Sequence, residues 1–324
     1  MKRSTTYKTA SILIKITIVL VALWFLYRQV FIKHDFAGIQ AFYRTVWLNP
    51  EFFPLAAIVS FLMIINWTLE AIKWKMMISK MEEISFFRAM EAVFAGITVS
   101  FFTPNRVGEF GGRIFFLVKA DQVKAALISI FGSMSQLIIT LIMGSFSLLL
   151  FLFNFTSIQT TLFYSVTFLT IIADVLLLFI YFNLAYFQLF LQRIKVLQKF
   201  LKYSEIIELY SFSELRKVLL LSFLRYAVFT TQYLILLRMM DIQVPLLGGI
   251  IMIAMTFLVM SVPTFALSEF SLRSVVALQF IGLLSSNSIG IVTASFSLYL
   301  INVALPALLG AVFVFNLKFF RNTK

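Results

Sequence analysis

Residues 103–113 read Thr-Pro-Asn-Arg-Val-Gly-Glu-Phe-Gly-Gly-Arg, and residues 262–273 read Val-Pro-Thr-Phe-Ala-Leu-Ser-Glu-Phe-Ser-Leu-Arg. In both, a proline is followed five or six residues later by Glu-Phe-x-x-Arg. Each stretch lies between two apolar arms of about 12 residues, which as helix would cover only ~18 Å. A hydrocarbon core is ~30 Å thick, so arms of this length predict re-entrant hairpins rather than complete crossings of a membrane.

The rest of the chain is strongly apolar. Hydrophobic residues make up 61% of its 324 residues, against roughly 45–50% in a soluble domain. Six apolar runs are long enough to cross a bilayer as helices, namely 12–32, 52–72, 127–153, 160–182, 217–240 and 289–317. The sequence therefore predicts an all-α integral membrane protein, one domain over 1–324, with about six transmembrane helices and two re-entrant helical hairpins.

The charges predict how these segments are oriented. Lys and Arg number 27 against 14 Asp and Glu, and basic loops normally stay in the cytoplasm. Basic residues precede the first run, follow the second, fill the loop 183–216 and close the chain. We therefore expect cytoplasmic N- and C-termini in a cell inner (plasma) membrane. The hairpins then enter from opposite faces, and the halves 52–153 and 217–317 form an inverted-topology repeat.

Several chemistries are excluded by composition. The chain has no Cys and a single His, His34, which excludes disulfides, thiolate metal sites and His-rich zinc or heme sites. It has no Gly-rich phosphate-binding loop and no paired acidic metal motif. The basic residues are interspersed with apolar runs, which argues against nucleic acid as a partner. We expect no cofactor and no metal.

The polar residues of the two hairpin centres are the candidate substrate-binding residues: Pro104, Arg106, Gly108, Glu109 and Arg113 in the first, and Pro263, Glu269 and Arg273 in the second. A helix that starts just after each proline would direct free backbone N–H groups at the hairpin tip, which suits a phosphate. Arg106 would then be a fork-shaped donor to that phosphate.

A structural interpretation of the same residues remains open. Glu109 and Arg113 are four residues apart, as are Glu269 and Arg273, so each pair could serve only to neutralise its own charge within a buried helix. The Gly-x-x-x-Gly spacing of Gly108 and Gly112 indicates close helix packing more often than ligand contact.

Three further ionisable residues lie within the apolar runs. Asp174 and Arg225 are each about eight residues from the predicted cytoplasmic end of their run. At a shared depth they are predicted to form a buried ion pair, with a role in coupling as the alternative. Glu70, three residues before Lys73, is predicted to be an interfacial charge, with a proton relay as the alternative.

The first centre, from Thr103 to Arg113, resembles the Thr-Pro-x-Arg-x-Gly-Glu-x-x-x-Arg signature of the membrane domain of lysylphosphatidylglycerol synthases, a flippase-like family. Arg106 falls on the first arginine of that signature. The second centre, from Val262 to Arg273, is similar to the family's C-terminal Pro/Gly-rich hairpin, although Phe265, Ala266 and Leu267 stand where the family usually has glycines. The resemblance implies movement of an amphipathic lipid between leaflets. Because the chain ends at Lys324, directly after its last run, we expect a free-standing protein without the aminoacyltransferase domain.

The leading hypothesis is a lipid flippase-like transporter for an anionic phospholipid or a polyprenyl-phosphate-linked lipid. The alternatives are a membrane-embedded enzyme that uses Glu109 or Glu269 as a general base on a lipid phosphate headgroup, and an accessory membrane protein without a substrate. Two matching charged centres suit a transport site better than one asymmetric reaction centre, so we expect no enzyme activity. Membrane lipids are the expected partners, and a homo-oligomer is left open.

Overall fold

The computed structural model describes residues 36–101, 103, 107–183, 193, 209–261 and 266–315, the side chains of 36–39, 41, 101, 266–271 and 315 excepted. This part of the chain is helical and contains no strand. Its helices are α1 (Phe36–Leu48), α2 (Phe52–Ile78), α3 (Phe86–Phe101), α4 (Gly108–Ile114), α5 (Gln122–Phe155), α6 (Thr160–Phe182), α7 (Phe212–Met239), α8 (Leu246–Met260), α9 (Ala266–Phe280), a 3₁₀ turn (Ile281–Leu283), α10 (Ser288–Tyr299), a π-helical turn (Leu300–Ala304) and α11 (Leu305–Phe315).

Five helical segments in the described ranges are long and apolar enough to cross a membrane: Phe52–Ile78, Gln122–Phe155, Thr160–Phe182, Phe212–Met239 and Ser288–Val314. They match five of the six runs predicted from hydropathy and confirm an all-helical membrane protein. The remaining run, 12–32, lies outside the described residues, as does most of the basic loop 183–216.

The structure corrects two boundaries and one loop. Helix α2 continues to Ile78, beyond the predicted end at 72. Helix α7 begins at Phe212, inside the predicted basic loop. In the loop between the first two apolar runs, residues 36–48 form helix α1.

Local sequence signals fix both ends of α7. At its start, Ser211 and Glu214 form a capping box in which each side chain bonds the other residue's backbone N–H. At its end, the N–H of Ile242 bonds the carbonyl of Leu237 at 3.0 Å. Asp241 completes this turn in the left-handed region, with φ of 55°, the position that glycine usually takes in a Schellman motif.

Contacts between distant segments define the two ends of the helix bundle. At the first end, the Tyr210 hydroxyl donates to the Met77 carbonyl at 2.5 Å, and residues 79–82 and 118–120 lie alongside. At the second end, Arg238 pairs with Glu51 at 2.8 Å, and the Asn287 amide donates to the Met240 carbonyl at 3.1 Å.

The segment containing α3 and α4 begins and ends at the first end of the bundle. Arg88 Nε donates to the Phe116 carbonyl at 2.7 Å. The Glu82 carboxylate accepts from three successive backbone N–H groups, those of residues 118–120, at 2.6 to 3.0 Å. These bonds fasten the entry of the segment to its exit.

The segment containing α8 and α9 closes in the same way at the second end. A methyl group added at Gly248, near the start of α8, would lie 3.4 Å from Leu284, just after the 3₁₀ turn. Leu284 is followed directly by the turn that carries Asn287, which bonds to Met240. The two segments therefore have their bases at opposite ends of the bundle.

Two apolar clusters form the interior. The first contains Trp74, Met77 and Phe131, and the second contains Tyr233 and Met252. Residues of both clusters line one polar cavity.

Candidate functional site

The cavity has a volume of about 340 Å³ and is lined by α2, α4, α5, α7, α8, α9 and the last span. Its charged lining residues are Glu70, Lys73, Glu109, Arg225 and Arg273. Glu109 on α4 and Arg273 on α9 come from the two hairpin centres singled out in the sequence. Both reach one cavity although 164 positions separate them (109 to 273).

Glu70 is the centre of a buried ion network. One carboxylate oxygen accepts from Arg113 at 2.8 Å. The other accepts from Lys73 at 2.8 Å and from Arg225. Glu70 is 3% exposed, and isolated charges at such depth would be very costly. Sharing one carboxylate among three cations offsets that cost and ties α4 and α7 to α2.

Sequence reasoning missed this network. Glu70 was expected to be an interfacial charge, yet both Glu70 and Lys73 are buried. The expectation was wrong because α2 continues for more than a turn past Lys73. Two signals could have indicated burial: the three-residue spacing of the opposite charges, and the apolar residues Trp74 and 76–78 that follow them.

The predicted intrahelical pair of Glu109 and Arg113 is confirmed. Arg113 also bonds Glu70 at 2.8 Å, and its guanidinium lies 5.9 Å from the centre of the Trp74 ring. Because Arg113 on α4 pairs with Glu70 on α2 as well as with Glu109, it connects the two helices. Glu109 is partly exposed and lines the cavity.

Close packing of the first centre's glycines is also confirmed. A methyl group on Gly112 would lie 2.6 Å from the Cα of Gly96 on α3. The N–H of Gly108 donates to the Thr103 hydroxyl at 2.8 Å. Gly108 thus contacts the connection between α3 and α4. Four other predicted site residues lie outside the described part of the chain: Pro104, Arg106, Pro263 and the side chain of Glu269.

The expected ion pair between Asp174 and Arg225 does not form. Arg225 bonds Glu70 and, through Nε, the amide oxygen of Asn66 at 3.0 Å. Asp174 accepts from Ser145 at 3.1 Å. The expected equal depth was wrong, because α7 begins at Phe212 and Arg225 is thirteen residues from that start, whereas Asp174 is eight residues from the end of α6. Asp174 also faces α5, and Arg225 faces α2.

A chain of side-chain amides extends from Arg225 through the interior. Asn66 donates to Asn302 at 3.2 Å, Asn302 donates to Gln232 at 3.2 Å, and Gln232 donates to the Val59 carbonyl at 3.0 Å. All three amides are at most 1% exposed. None of the three was predicted as a site residue, although polar residues within apolar spans are a signal that the sequence contains.

Asn302 lies in the π-helical turn Leu300–Ala304 of the last span. Pro306 follows this turn and has no N–H, so it cannot close the regular helical bond to the carbonyl of Asn302. Single π-turns inside helices often occur at functional sites. Here the turn places Asn302 against both Asn66 and Gln232.

Aromatic rings support the two cavity arginines that lie on α7 and α9. The Arg225 guanidinium is 5.4 Å from the centre of the Trp67 ring, and that of Arg273 is 6.0 Å from the centre of the Phe257 ring.

The charged lining described above contains three cations and two carboxylates. This balance favours an anionic ligand. Within the described residues, no three His, Cys, Asp or Glu side chains come together to hold a metal.

Comparison with known proteins gives one match. The model of the family described as Lysylphosphatidylglycerol synthase TM region matches residues 12–310. No curated protein and no solved structure matches the chain.

Proposed function

The chain belongs to the family of the lysylphosphatidylglycerol synthase TM region, and from this membership and the cavity we propose that it moves a lipid with an anionic phosphate headgroup between membrane leaflets. The substrate is a phospholipid or a polyprenyl-phosphate-linked lipid. The observation that carries the proposal is the pair of arginines, Arg225 and Arg273, that line one cavity from different helices. Guanidinium groups are preferred donors to phosphate.

In this proposal the phosphate lies between Arg225 and Arg273. Arg106, outside the described residues, stays a sequence prediction for a further donor. Glu109 adjusts the positive charge of the cavity. Arg113 serves as a support, since Glu70 and Glu109 hold it. The acyl or prenyl chains remain in the bilayer, and no bond of the lipid is made or broken.

The same proposal includes the membrane topology. The run 12–32 is the sixth span, and the segments α3–α4 and α8–α9 are re-entrant hairpins of an inverted repeat in a cell inner membrane. Their bases lie at opposite ends of the bundle, which supports this arrangement. Each hairpin would then close the cavity from one side, as in transporters that alternate access about a central site.

Reconstitution into lipid vesicles tests the function. We expect the protein to exchange fluorescent phosphatidylglycerol or polyprenyl phosphate between leaflets, with the lipids recovered chemically unchanged. Modified lipid products would instead indicate an enzyme. Neither exchange nor products, in vesicles that contain the folded protein, would indicate an accessory role and overturn the proposal.

Variants assign the site. Arg273→Gln should reduce exchange at least tenfold, while Arg225→Lys, which keeps the buried charge, should retain a folded protein with weakened exchange. Arg238→Gln is the matched control, because Arg238 is exposed and bonds only Glu51 among the described side chains. Wild-type exchange by Arg273→Gln at equal incorporation would contradict the site.

A further inference from the structure

Of the two carboxylates that line the cavity in the described part of the chain, Glu109 is the accessible one. Its side chain is 20% exposed, and it lines the cavity from α4. Glu70 is only 3% exposed, and three cations occupy its two oxygens. Glu109 is therefore the carboxylate that a proton or a solute in the cavity can reach.

The two carboxylates also differ in what protonation would cost. A proton on Glu70 would leave three buried cations without the carboxylate that they share, and uncompensated buried charge is strongly unfavourable. A proton on Glu109 removes only one of the two partners of Arg113, since Glu70 still accepts from Arg113 at 2.8 Å. Glu109 can therefore change its charge while the buried network stays paired.

A continuous chain of ion pairs connects Glu109 to Arg225, one of the two arginines that the proposed function assigns to the phosphate. Glu109 pairs with Arg113. Glu70 then pairs with both Arg113 and Arg225. When Glu109 takes up a proton, Arg113 is left with Glu70 alone. Glu70 then holds Arg225 less strongly, which frees that guanidinium for a phosphate.

A bound phosphate and an ionised Glu109 also oppose each other directly. Both are anions in one cavity of about 340 Å³, and a nearby like charge disfavours the ionised form of a carboxylate. Coupling between two binding events is reciprocal, so a phosphate that favours protonation of Glu109 is itself bound more tightly when Glu109 is protonated. The proton and the anionic headgroup therefore bind together.

Other titratable groups surround Glu109, and one of them competes with it as a source of pH dependence. Those that share the cavity, within the described residues, are Glu70, Lys73, Arg225, Tyr226, Arg273 and Tyr299. Helices α3 and α5 pack on α4, and their charged residues lie outside the cavity lining: Arg88, Glu91 and Lys124. Arginine and tyrosine ordinarily keep their charge state between roughly pH 5 and pH 8. Lys73 is the competing group, because loss of its proton would also weaken anion binding as the pH rises.

We propose that Glu109 is a proton-binding site that couples lipid movement to a proton gradient, with one proton entering and leaving the cavity together with each anionic headgroup. This inference rests on the proposed function and adds its energy source. A proton and a phosphodiester monoanion cross together without net charge. The driving force is therefore the pH difference across the membrane and not the membrane potential.

Binding in detergent tests the linkage without transport. The probe is dihexanoylphosphatidylglycerol, whose phosphodiester keeps one negative charge between roughly pH 5 and pH 8. The protein should bind it at least about fivefold tighter at the acid end of this range than at the alkaline end. Calorimetry in buffers of different ionisation enthalpy should show proton uptake on binding. Affinity that does not change with pH overturns the inference and leaves the proposed function in place, whereas no binding at any pH overturns both.

Glu109→Gln has nearly the shape of a protonated glutamate and carries no charge. It should bind the probe at every pH with the affinity that the wild type has at the acid end, and take up no proton. Glu109→Asp keeps an ionisable carboxyl group and should retain the pH dependence. Glu51→Gln is the matched control, since Glu51 pairs with Arg238 at the exposed second end.

Two results with Glu109→Gln would contradict the assignment. A pH dependence that persists in this variant belongs to Lys73 or another group of the lining and overturns the inference. Loss of binding at every pH, in a variant that melts at the wild-type temperature, shows that the carboxylate only supports the site and overturns it as well.

Vesicles test the coupling to transport. Under an imposed pH difference, fluorescent phosphatidylglycerol should become enriched in the leaflet on the alkaline side faster with the protein than in protein-free vesicles. A membrane potential alone should cause no enrichment, and Glu109→Gln should not exceed protein-free vesicles. Protein-dependent exchange that ends in an equal distribution despite the pH difference overturns the coupling while leaving lipid transport in place.

Discussion

Arg113 on α4 donates to Glu70 on α2 at 2.8 Å, and this bond holds α4 against the long helix that carries the centre of the ion network. Because the two residues are 43 positions apart, their bond is tertiary. The packing of α4 therefore depends on a charged residue, Glu70, that lies outside the 103–113 motif.

Removing either partner should be strongly destabilising. Glu70→Gln leaves three cations without their shared carboxylate, and Arg113→Gln leaves Glu109 without its partner, so each should cost about 3–5 kcal/mol of unfolding free energy. The double variant should cost less than the sum of the two, by about 0.5–3 kcal/mol. Denaturant unfolding in detergent measures the cycle. Simple additivity would show that the bond contributes little.

The glycines of α4 provide a matched pair of variants. Gly112→Ala places a methyl group 2.6 Å from the backbone of Gly96 and should cost about 1–3 kcal/mol through overpacking. Gly111→Ala meets no atom within 4 Å and should stabilise the helix by about 0.5–1 kcal/mol. Thermal unfolding of the two variants checks this difference in sign. Equal melting temperatures would contradict the close packing of α3 and α4.

The bases of the α3–α4 and α8–α9 segments lie at opposite ends of the bundle, which predicts opposite labelling of two exposed positions. Since the chain has no Cys, Lys119→Cys and Ser286→Cys each introduce a single thiol without background. A membrane-impermeant maleimide added to intact membrane vesicles of known orientation should label one variant and spare the other until the vesicles are opened. Labelling of both from the same side would refute the inverted repeat.

The Glu82 carboxylate should make the first end of the bundle sensitive to acid. Partial burial raises its pKa, but the backbone N–H groups of Lys119, Ala120 and Val118 outweigh burial, and the pKa lies below its ordinary value. Its contribution to stability is therefore present above the ordinary pKa of a glutamate and is lost as the pH falls through the lowered pKa. Hydrogen exchange of the amides of residues 118–120 at decreasing pH, after correction for intrinsic rates, measures this loss. In Glu82→Gln these amides should already exchange faster at neutral pH and show no such transition.

Hydropathy predicted the spans because burial of about 20 apolar residues is a property of the local sequence. The four-residue spacing predicted the bond of Glu109 with Arg113 for the same reason. Glu109 and Arg273, one from each of the matching centres, line the same cavity. The partners of Glu70 and Arg225 could not be predicted, since they depend on how neighbouring helices are rotated about their axes. The π-turn at Asn302 likewise results from one proline acting on packed neighbours.

The amide chain from Arg225 to Val59 has a single polarity. Each of its three amides accepts a hydrogen bond on one side and donates one on the other: Asn66, Asn302 and Gln232. Rotating any one amide by 180° would therefore place donor against donor and acceptor against acceptor. An acidic replacement at any of the three positions would remove a donor and break the sequence of dipoles. Viable homologues should therefore change these positions jointly or not at all, and paired substitutions among them would be the evolutionary record of this constraint.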